Sequence, residues 1–260
     1  MIYELNHVGI VVSDLERTVS FYSKLFGARE VWRTSIESIG LEIVYLQIGS
    51  GMFEFLSFRD ATRECGTDHL GYLTDDLDGD YARLVATGHK SVLEPRVSGS
   101  GVGRQAFVLD PDGTRIELLE RERPVRLEAA DHPIVASVDH VALLVDDLDR
   151  ALAFYVDAIG MTVLRKVDIP GTDVSVTYLE LGDDVLELLP RPTTGQRIEH
   201  IALRVPDADA ALAFFLTEGA TPDGSSRPAA SGIGRIGSVT DPDGVVIEVL
   251  DRPDVRTLAS

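Results

Sequence analysis

Four of the six histidines head one short pattern: His7-Val-Gly-Ile-Val-Val, His69-Leu-Gly-Tyr-Leu-Thr, His140-Val-Ala-Leu-Leu-Val and His200-Ile-Ala-Leu-Arg-Val. Each is matched by a glutamate at a nearly constant offset down the chain: Glu54, Glu117, Glu187 and Glu248. Every one of these glutamates stands between apolar neighbours: Phe-Glu-Phe, Ile-Glu-Leu, Leu-Glu-Leu and Ile-Glu-Val. A carboxylate on the inner side of a sheet is costly unless it is paired or bound to a metal. If the glutamates faced water, Met52, Leu56, Leu119 and Leu250 would be exposed with them. A single histidine reads as core and a single glutamate as surface, but four pairs in register read as ligands. Two imidazoles and two carboxylates suit a divalent ion such as Zn, Ni, Mn, Co or Fe(II), with positions left for water or substrate on an octahedral ion.

The elements that carry these residues follow from periodicity. After each histidine, apolar and small residues alternate with the period of a half-buried strand. The histidine and the Gly or Ala two places on share one face, which leaves room against the ring. The interval from His7 to His69 nearly equals that from His140 to His200. The longer interval from His7 to His140 nearly equals that from His69 to His200, so a module occurs four times and a pair of modules twice. In the first module Ser13 and Glu16 have capping-box spacing, and Leu15, Val19, Tyr22 and Phe26 form a helical stripe closed by Gly27. Extended segments follow, up to Met52–Leu56. Leu77, Tyr81 and Leu84 repeat the stripe with Asp75 and Asp76 as caps. Leu148, Leu152, Tyr155 and Ile159 do so again, as do Leu212 and Phe215. The turns Asp110-Pro111-Asp112-Gly113 and Asp241-Pro242-Asp243-Gly244 precede the last strands of modules two and four. The expected fold is α+β: four βαβββ modules paired into two domains, 1–122 and 137–252. A linker (123–136) joins them, His132 within it is incidental, and a frayed tail covers 253–260.

Composition narrows the partners. A net charge of −19 over 260 residues reads as a solvated acidic surface and argues against nucleic acid, since little here would displace counterions from phosphates. The lone cysteine, Cys65, allows no internal disulfide. No apolar run is long enough for a bilayer and no basic, apolar leader opens the chain, so the reading is cytoplasmic, with no membrane partner. An apolar fraction of 44% is ordinary for a globular chain.

The module order, the histidine on the first strand, the glutamate on the fourth and the Asp-Pro-Asp-Gly turn resemble the vicinal oxygen chelate superfamily. Its members include glyoxalase I, methylmalonyl-CoA epimerase, extradiol dioxygenases and the fosfomycin and bleomycin resistance proteins. The resemblance covers nearly the whole chain outside the linker and tail. It implies that two modules form one cupped mixed β-sheet around one metal. Site one would be His7, Glu54, His69 and Glu117, and site two His140, Glu187, His200 and Glu248. It also implies a small-molecule substrate chelated through vicinal oxygens, an enolate-type intermediate, and a ligand glutamate (Glu54, Glu117, Glu187 or Glu248) as general base. A lyase or isomerase follows. The alternatives are an Fe(II) extradiol dioxygenase, a metal-free binding protein of the antibiotic-resistance type, and a purely structural metal. Against the dioxygenase, Phe107 and Ser238 stand where those relatives carry a tyrosine, four residues before the proline of the turn. Arg104 and Arg235, in the paired glycine-rich loops, are candidates for binding an anionic substrate group. Trp32, Tyr45, Phe53, Phe55 and Tyr72 are candidate pocket aromatics in domain one, and domain two is poorer in them. Monomer and homodimer are both open, because a duplication within one chain can replace a dimer.

Overall fold

The computed structural model describes residues 1–257 apart from 61–62, 122–124, 131, 170 and 230–231. The first module is β1 (Ile2–Val11), α1 (Leu15–Phe26), β2 (Arg29–Ile36), β3 (Leu41–Ile48) and β4 (Gly51–Phe58). The second is β5 (Gly66–Thr74), α2 (Leu77–Ala86), β6 (Ser91–Val97), β7 (Arg104–Leu109) and β8 (Arg115–Glu120). Together they make one mixed sheet, ordered β2-β3-β4-β1-β5-β8-β7-β6. Each histidine strand lies parallel to the glutamate strand of its own module, and the two histidine strands pair antiparallel at the centre.

The third module runs through β9 (Ser137–Val145), α3 (Leu148–Leu152), β10 (Thr162–Asp168), β11 (Ser175–Leu181) and β12 (Asp184–Pro190). The fourth has β13 (Ile198–Arg204), α4 (Ala208–Thr217), the two-residue strands β14 (Thr221–Pro222) and β15 (Arg227–Pro228), β16 (Arg235–Thr240) and β17 (Val246–Leu250). The second sheet follows the same path, β10-β11-β12-β9-β13-β17-β16-β14, with β15 also on β16. The expected module order therefore holds in the first three copies, and in the fourth two short strands, β14 and β15, stand where one was expected.

Local details differ from the sequence reading. The cap of α1 is Asp14, whose carboxylate accepts the Arg17 N–H at 3.0 Å, while Ser13 turns away to Asp243. Asp76, Asp147 and Asp207 cap the other helices in the same way. After Leu152 the third helix widens into a π-helical stretch, Ala153–Ile159, which buries Phe154 and Tyr155 side by side where a 3.6-residue stripe would bury one. His132 is not incidental. Its Nδ1 accepts the Ile134 and Val135 N–H groups, and its ring fills the space beside Gly27. Nor is the start of the tail frayed: Val255 is buried against Val176, Tyr178 and Val185, and Arg256 donates to Glu180. Residues 258–260 lie outside the described residues.

One continuous apolar core takes Val8, Ile10, Tyr22, Leu70 and Tyr72 from the first half and Val141, Leu143, Tyr155, Ile201 and Phe215 from the second. The strand residues among these alternate with the histidines, so each sheet turns its helix-bearing face to the shared core and its histidine face away. Smaller clusters line the histidine faces, around Ile43 and Tyr45 in one half and Val176 and Tyr178 in the other. The halves also exchange matching contacts. Tyr22 on α1 donates to Asp241 at 3.2 Å, and Tyr155 donates to Asp110 at 2.9 Å.

Candidate metal centres

The small residue two places after each histidine lies opposite the histidine of the neighbouring module. Gly9 pairs with His69, Gly71 with His7, Ala142 with His200 and Ala202 with His140. A Cβ on Gly9 would stand 2.0 Å from the His69 ring, so the missing side chain is occupied by the partner imidazole. The rings thus fold over the central seam, and the parallel glutamate strands bring the carboxylates beside them.

In the first half the four groups converge, each offering a ligand atom within 4.8 Å of the others. His7 Nε2 and His69 Nε2 are 3.2 Å apart. Glu54 Oε2 lies 3.4 Å from His7 Nε2 and 3.1 Å from His69 Nε2, and Glu117 Oε2 lies 3.3 and 3.4 Å from them. In the second half His140, Glu187 and His200 form the corresponding group. His140 Nε2 is 3.2 Å from His200 Nε2 and 3.4 Å from Glu187. Glu248 stands slightly apart, 3.9 Å from His200 Nε2. This centre is also more open: the His200 side chain is 12% exposed against 3% for His69. It lies in a cavity of about 590 Å³ walled by Val167, Ile169, Val174, Val176 and Leu189, with Arg227 at its edge.

Three observations fit a divalent ion to these residues. Ligand atoms about 2.1 Å from one ion lie about 3.0–3.4 Å from each other in tetrahedral or cis-octahedral arrangement, which is the spacing found in the first centre. Glu117 Oε2 is buried with no hydrogen-bond partner. Each imidazole has an oxygen beside its Nδ1, and its Nε2 faces the Nε2 of the partner ring across the seam. Burial alone would raise the pKa of these carboxyl groups and leave them protonated more readily. Instead the His69 and His7 rings hold Glu54 well below the usual carboxylate range, and His140 brings Glu187 to about 2. Glu54 and Glu187 are therefore charged and available as ligands.

Two predicted substrate contacts do not reach the cups. Along β7 the side chains of Gln105 and Phe107 share the cup face, so Arg104 projects to the helix side, where Asp78 and Glu120 hold it at 2.8 and 3.2 Å. Arg235 likewise faces α4, pairing with Asp209 at 3.1 Å, while its neighbours Ile236 and Ser238 line the cavity. Glycines placed these loops correctly, but strand parity decided which way the arginines point. Ser231 of the second loop lies outside the described residues. Of the candidate pocket aromatics, Trp32 and Tyr45 lie on the cup side, whereas Phe53, Phe55 and Tyr72 belong to the shared core.

The groups that hold the glutamates escaped the sequence reading, which took Tyr45 only as a pocket aromatic. Tyr45 donates to Glu54, and Arg121 donates to the Tyr45 hydroxyl at 2.9 Å while lying over its ring. Tyr178 likewise hydrogen-bonds Glu187, with Arg252 over its ring and donating to Asp139. Tyr45 and Tyr178 are separated by the same interval as His7 and His140, which is the signal that would have found them. The residue before each histidine also matters: Asn6, Asp68, Asp139 and Glu199 all reach the following imidazole.

The family model described as the glyoxalase/bleomycin resistance protein/dioxygenase superfamily matches residues 4–118 and again 137–249. A lactoylglutathione lyase of Arabidopsis thaliana is 29% identical over 217 residues, covering 77% of this chain and 73% of its own. Among solved structures, the Mn(II)-bound glyoxalase from Novosphingobium aromaticivorans superposes with a TM-score of 0.72 at 18% identity, covering 98% of this chain and 84% of that one. The 2,3-dioxygenase LapB from Pseudomonas sp. KL28 gives 0.69 at 17% identity, covering 94% and 90%. These two share the fold. With both halves matched and each cup built on its own antiparallel pair of histidine strands, the chain belongs to the glyoxalase/bleomycin resistance protein/dioxygenase superfamily.

Proposed function

We propose that the protein is a divalent-metal-dependent lyase or isomerase of the glyoxalase type, which moves a proton beside a carbonyl on a small molecule bearing adjacent oxygens. The observation that carries this reading is the buried quartet of His7, Glu54, His69 and Glu117 around one point. These four would hold one ion, and His140, Glu187, His200 and Glu248 a second. A bound Zn, Ni, Mn, Co or Fe(II) ion supplies Lewis-acid polarisation of the substrate's oxygens.

The residues divide the remaining work. Glu54 and Glu187 are tethered by Tyr45 and Tyr178, so they serve best as fixed ligands. Glu117 and Glu248 have no such tether. Each sits on the last strand of its half with an oxygen free to turn toward a substrate C–H, and we assign them as general bases. The base takes the proton from the carbon beside the carbonyl and returns it to the neighbouring carbon, so no oxidant is needed. Phe107 packs edge-on against His69, which keeps water from one side of the first centre. The cavity of the second centre has the volume of a small-molecule site, and its aliphatic wall fits a substrate with an apolar body.

The relatives' name makes lactoylglutathione the first substrate to try. Turnover is expected without oxygen, lost on chelation and restored by a divalent ion. Strict dependence on oxygen would select the dioxygenase, for which the fold offers a precedent but Phe107 and Ser238 offer no acid–base group. A protein with no bound metal and no turnover would be a binding module. Among the described residues no helix is long and apolar enough to cross a membrane. A cytoplasmic protein working as a monomer or homodimer, with no nucleic-acid partner, is the reading that goes with this.

A further inference from the structure

Neighbouring side chains on an unbroken strand point to opposite faces, so the residue before each histidine belongs on the helix side. In all four modules it does not stay there. The ladder passes from Leu5 directly to His7, from His69 to Thr67, from His140 to Val138 and from Ile198 to His200. The residues skipped are Asn6, Asp68, Asp139 and Glu199. A bulge of this kind sets two residues against one and re-aims a side chain. Here it brings an oxygen to the Nδ1 of the next residue: Asn6 Oδ1 at 3.2 Å, Asp68 Oδ2 and Asp139 Oδ1 at 2.8 Å, and Glu199 Oε2 at 3.4 Å.

Three of these side chains are themselves held by an arginine. Arg115 donates to Asp68 at 2.5 Å, Arg252 to Asp139 at 2.8 Å, and Arg191 pairs with Glu199. Asn6 reaches the same end by one more step: its amide nitrogen donates to Glu4 at 2.8 Å, which turns the amide oxygen toward His7, and Arg126 of the linker holds Glu4 at 2.6 Å. Four independent copies of one local irregularity, each ending on the same ring atom, mark a device rather than an accident of packing.

We propose that Asn6, Asp68, Asp139 and Glu199 are positioning residues, each accepting the Nδ1 proton of the following histidine and so committing its Nε2 lone pair to a divalent cation. An oxygen acceptor at Nδ1 requires the hydrogen there, and outer partners of this kind orient metal-bound imidazoles and raise their basicity. The inference rests on the metal-site reading, but its first measurement does not need the metal.

With ¹⁵N-labelled histidine, and the pH raised until the ring is neutral, the metal-free protein should show the one proton of His69 on Nδ1. Asp68→Ala should shift that population toward Nε2–H and weaken the affinity for Zn or Mn alone, measured by chelator competition, by about 10- to 100-fold. Asp68→Asn keeps an oxygen in place and should recover most of the affinity. The proposal is overturned if Asp68→Ala leaves the tautomer and the affinity unchanged, or if Ala and Asn lose affinity equally. Glu199→Ala, at the more open centre, gives the same test should Asp68→Ala fail to fold. A native protein that binds no metal would remove the functional reading, and the tautomer would still decide this one.

Discussion

At the scale of single residues, the centres are two imidazoles crossed edge to face, with ring centroids 5.3 Å apart in the first half and 5.4 Å in the second. Their Nε2 atoms point at one another, and only a proton or a cation makes that arrangement favourable. His69→Ala and His200→Ala should therefore each lower the bound metal by one equivalent while leaving the other centre loaded, as read by elemental analysis. If neither changes the metal content, the ligand assignment is wrong. The tyrosine tether separates the roles of the glutamates. Glu117→Gln should keep a neutral oxygen ligand but lose the base, so kcat should fall by about 10²–10⁴ with metal largely retained. Glu54→Gln should cost metal first. Steady-state kinetics beside metal content on both variants checks the split, provided turnover is measured where the first centre is active.

At the scale of elements, the antiparallel seams β1–β5 and β9–β13 do the positioning. The residues opposite the rings are glycines in one seam and alanines in the other, and the alanine seam carries the looser, more exposed centre. Gly9→Ala should push the His69 ring outward, because a Cβ there meets the ring at 2.0 Å. The expected result is a first centre that resembles the second, with weaker metal binding and about 1–3 kcal/mol lost from stability through overpacking. Metal titration together with denaturant unfolding measures both. Wild-type affinity in this variant would show that the backbone gives way instead of the ring.

At the scale of the whole molecule, the two halves share one core and clasp each other through paired devices. The Asp-Pro-Asp-Gly turn is more than a reversal, since its first aspartate is buried and receives a tyrosine from the other half. Burial pushes the carboxyl groups of Asp110 and Asp241 up, against the hydrogen bonds that lower them. Tyr22→Phe or Tyr155→Phe removes one donor and should cost about 1–2 kcal/mol, seen as a lower Tm. A second group at the junction titrates in a useful range. Asp184 lies near Glu4 and near Arg126 of the linker, and burial pushes it up to about 7 despite the arginine. The folded protein then holds this proton more tightly than the unfolded chain, so stability falls as pH rises from about 4 to 7 and is level above that range. Asp184→Asn should raise stability at pH 8 by about 2 kcal/mol, allowing for partial solvent access, and make little difference at pH 4. Unfolding curves at the two pH values test the sign.

Much of this was legible in the residues themselves. Strand alternation placed His7, His69, His140 and His200 on one face, and a constant offset placed the four glutamates on another strand of each copy, because periodicity is local and repetition makes it unmistakable. The order of strands and helices in each module was equally plain from stripes, glycines and turns. What no local pattern carried were the choices made by distant partners. Arg104 and Arg235 face the helices because of strand parity set by Phe107 and Ser238. Asn6 and its counterparts reach the rings only through bulges in pairings between modules, and Val255 is ordered only because Val176 and Tyr178 offer it a place. Residue types and intervals decided which groups can bind and move protons. Tertiary pairing decided which of them meet, because register, bulges and the junction between halves are set by contacts between segments far apart in the chain.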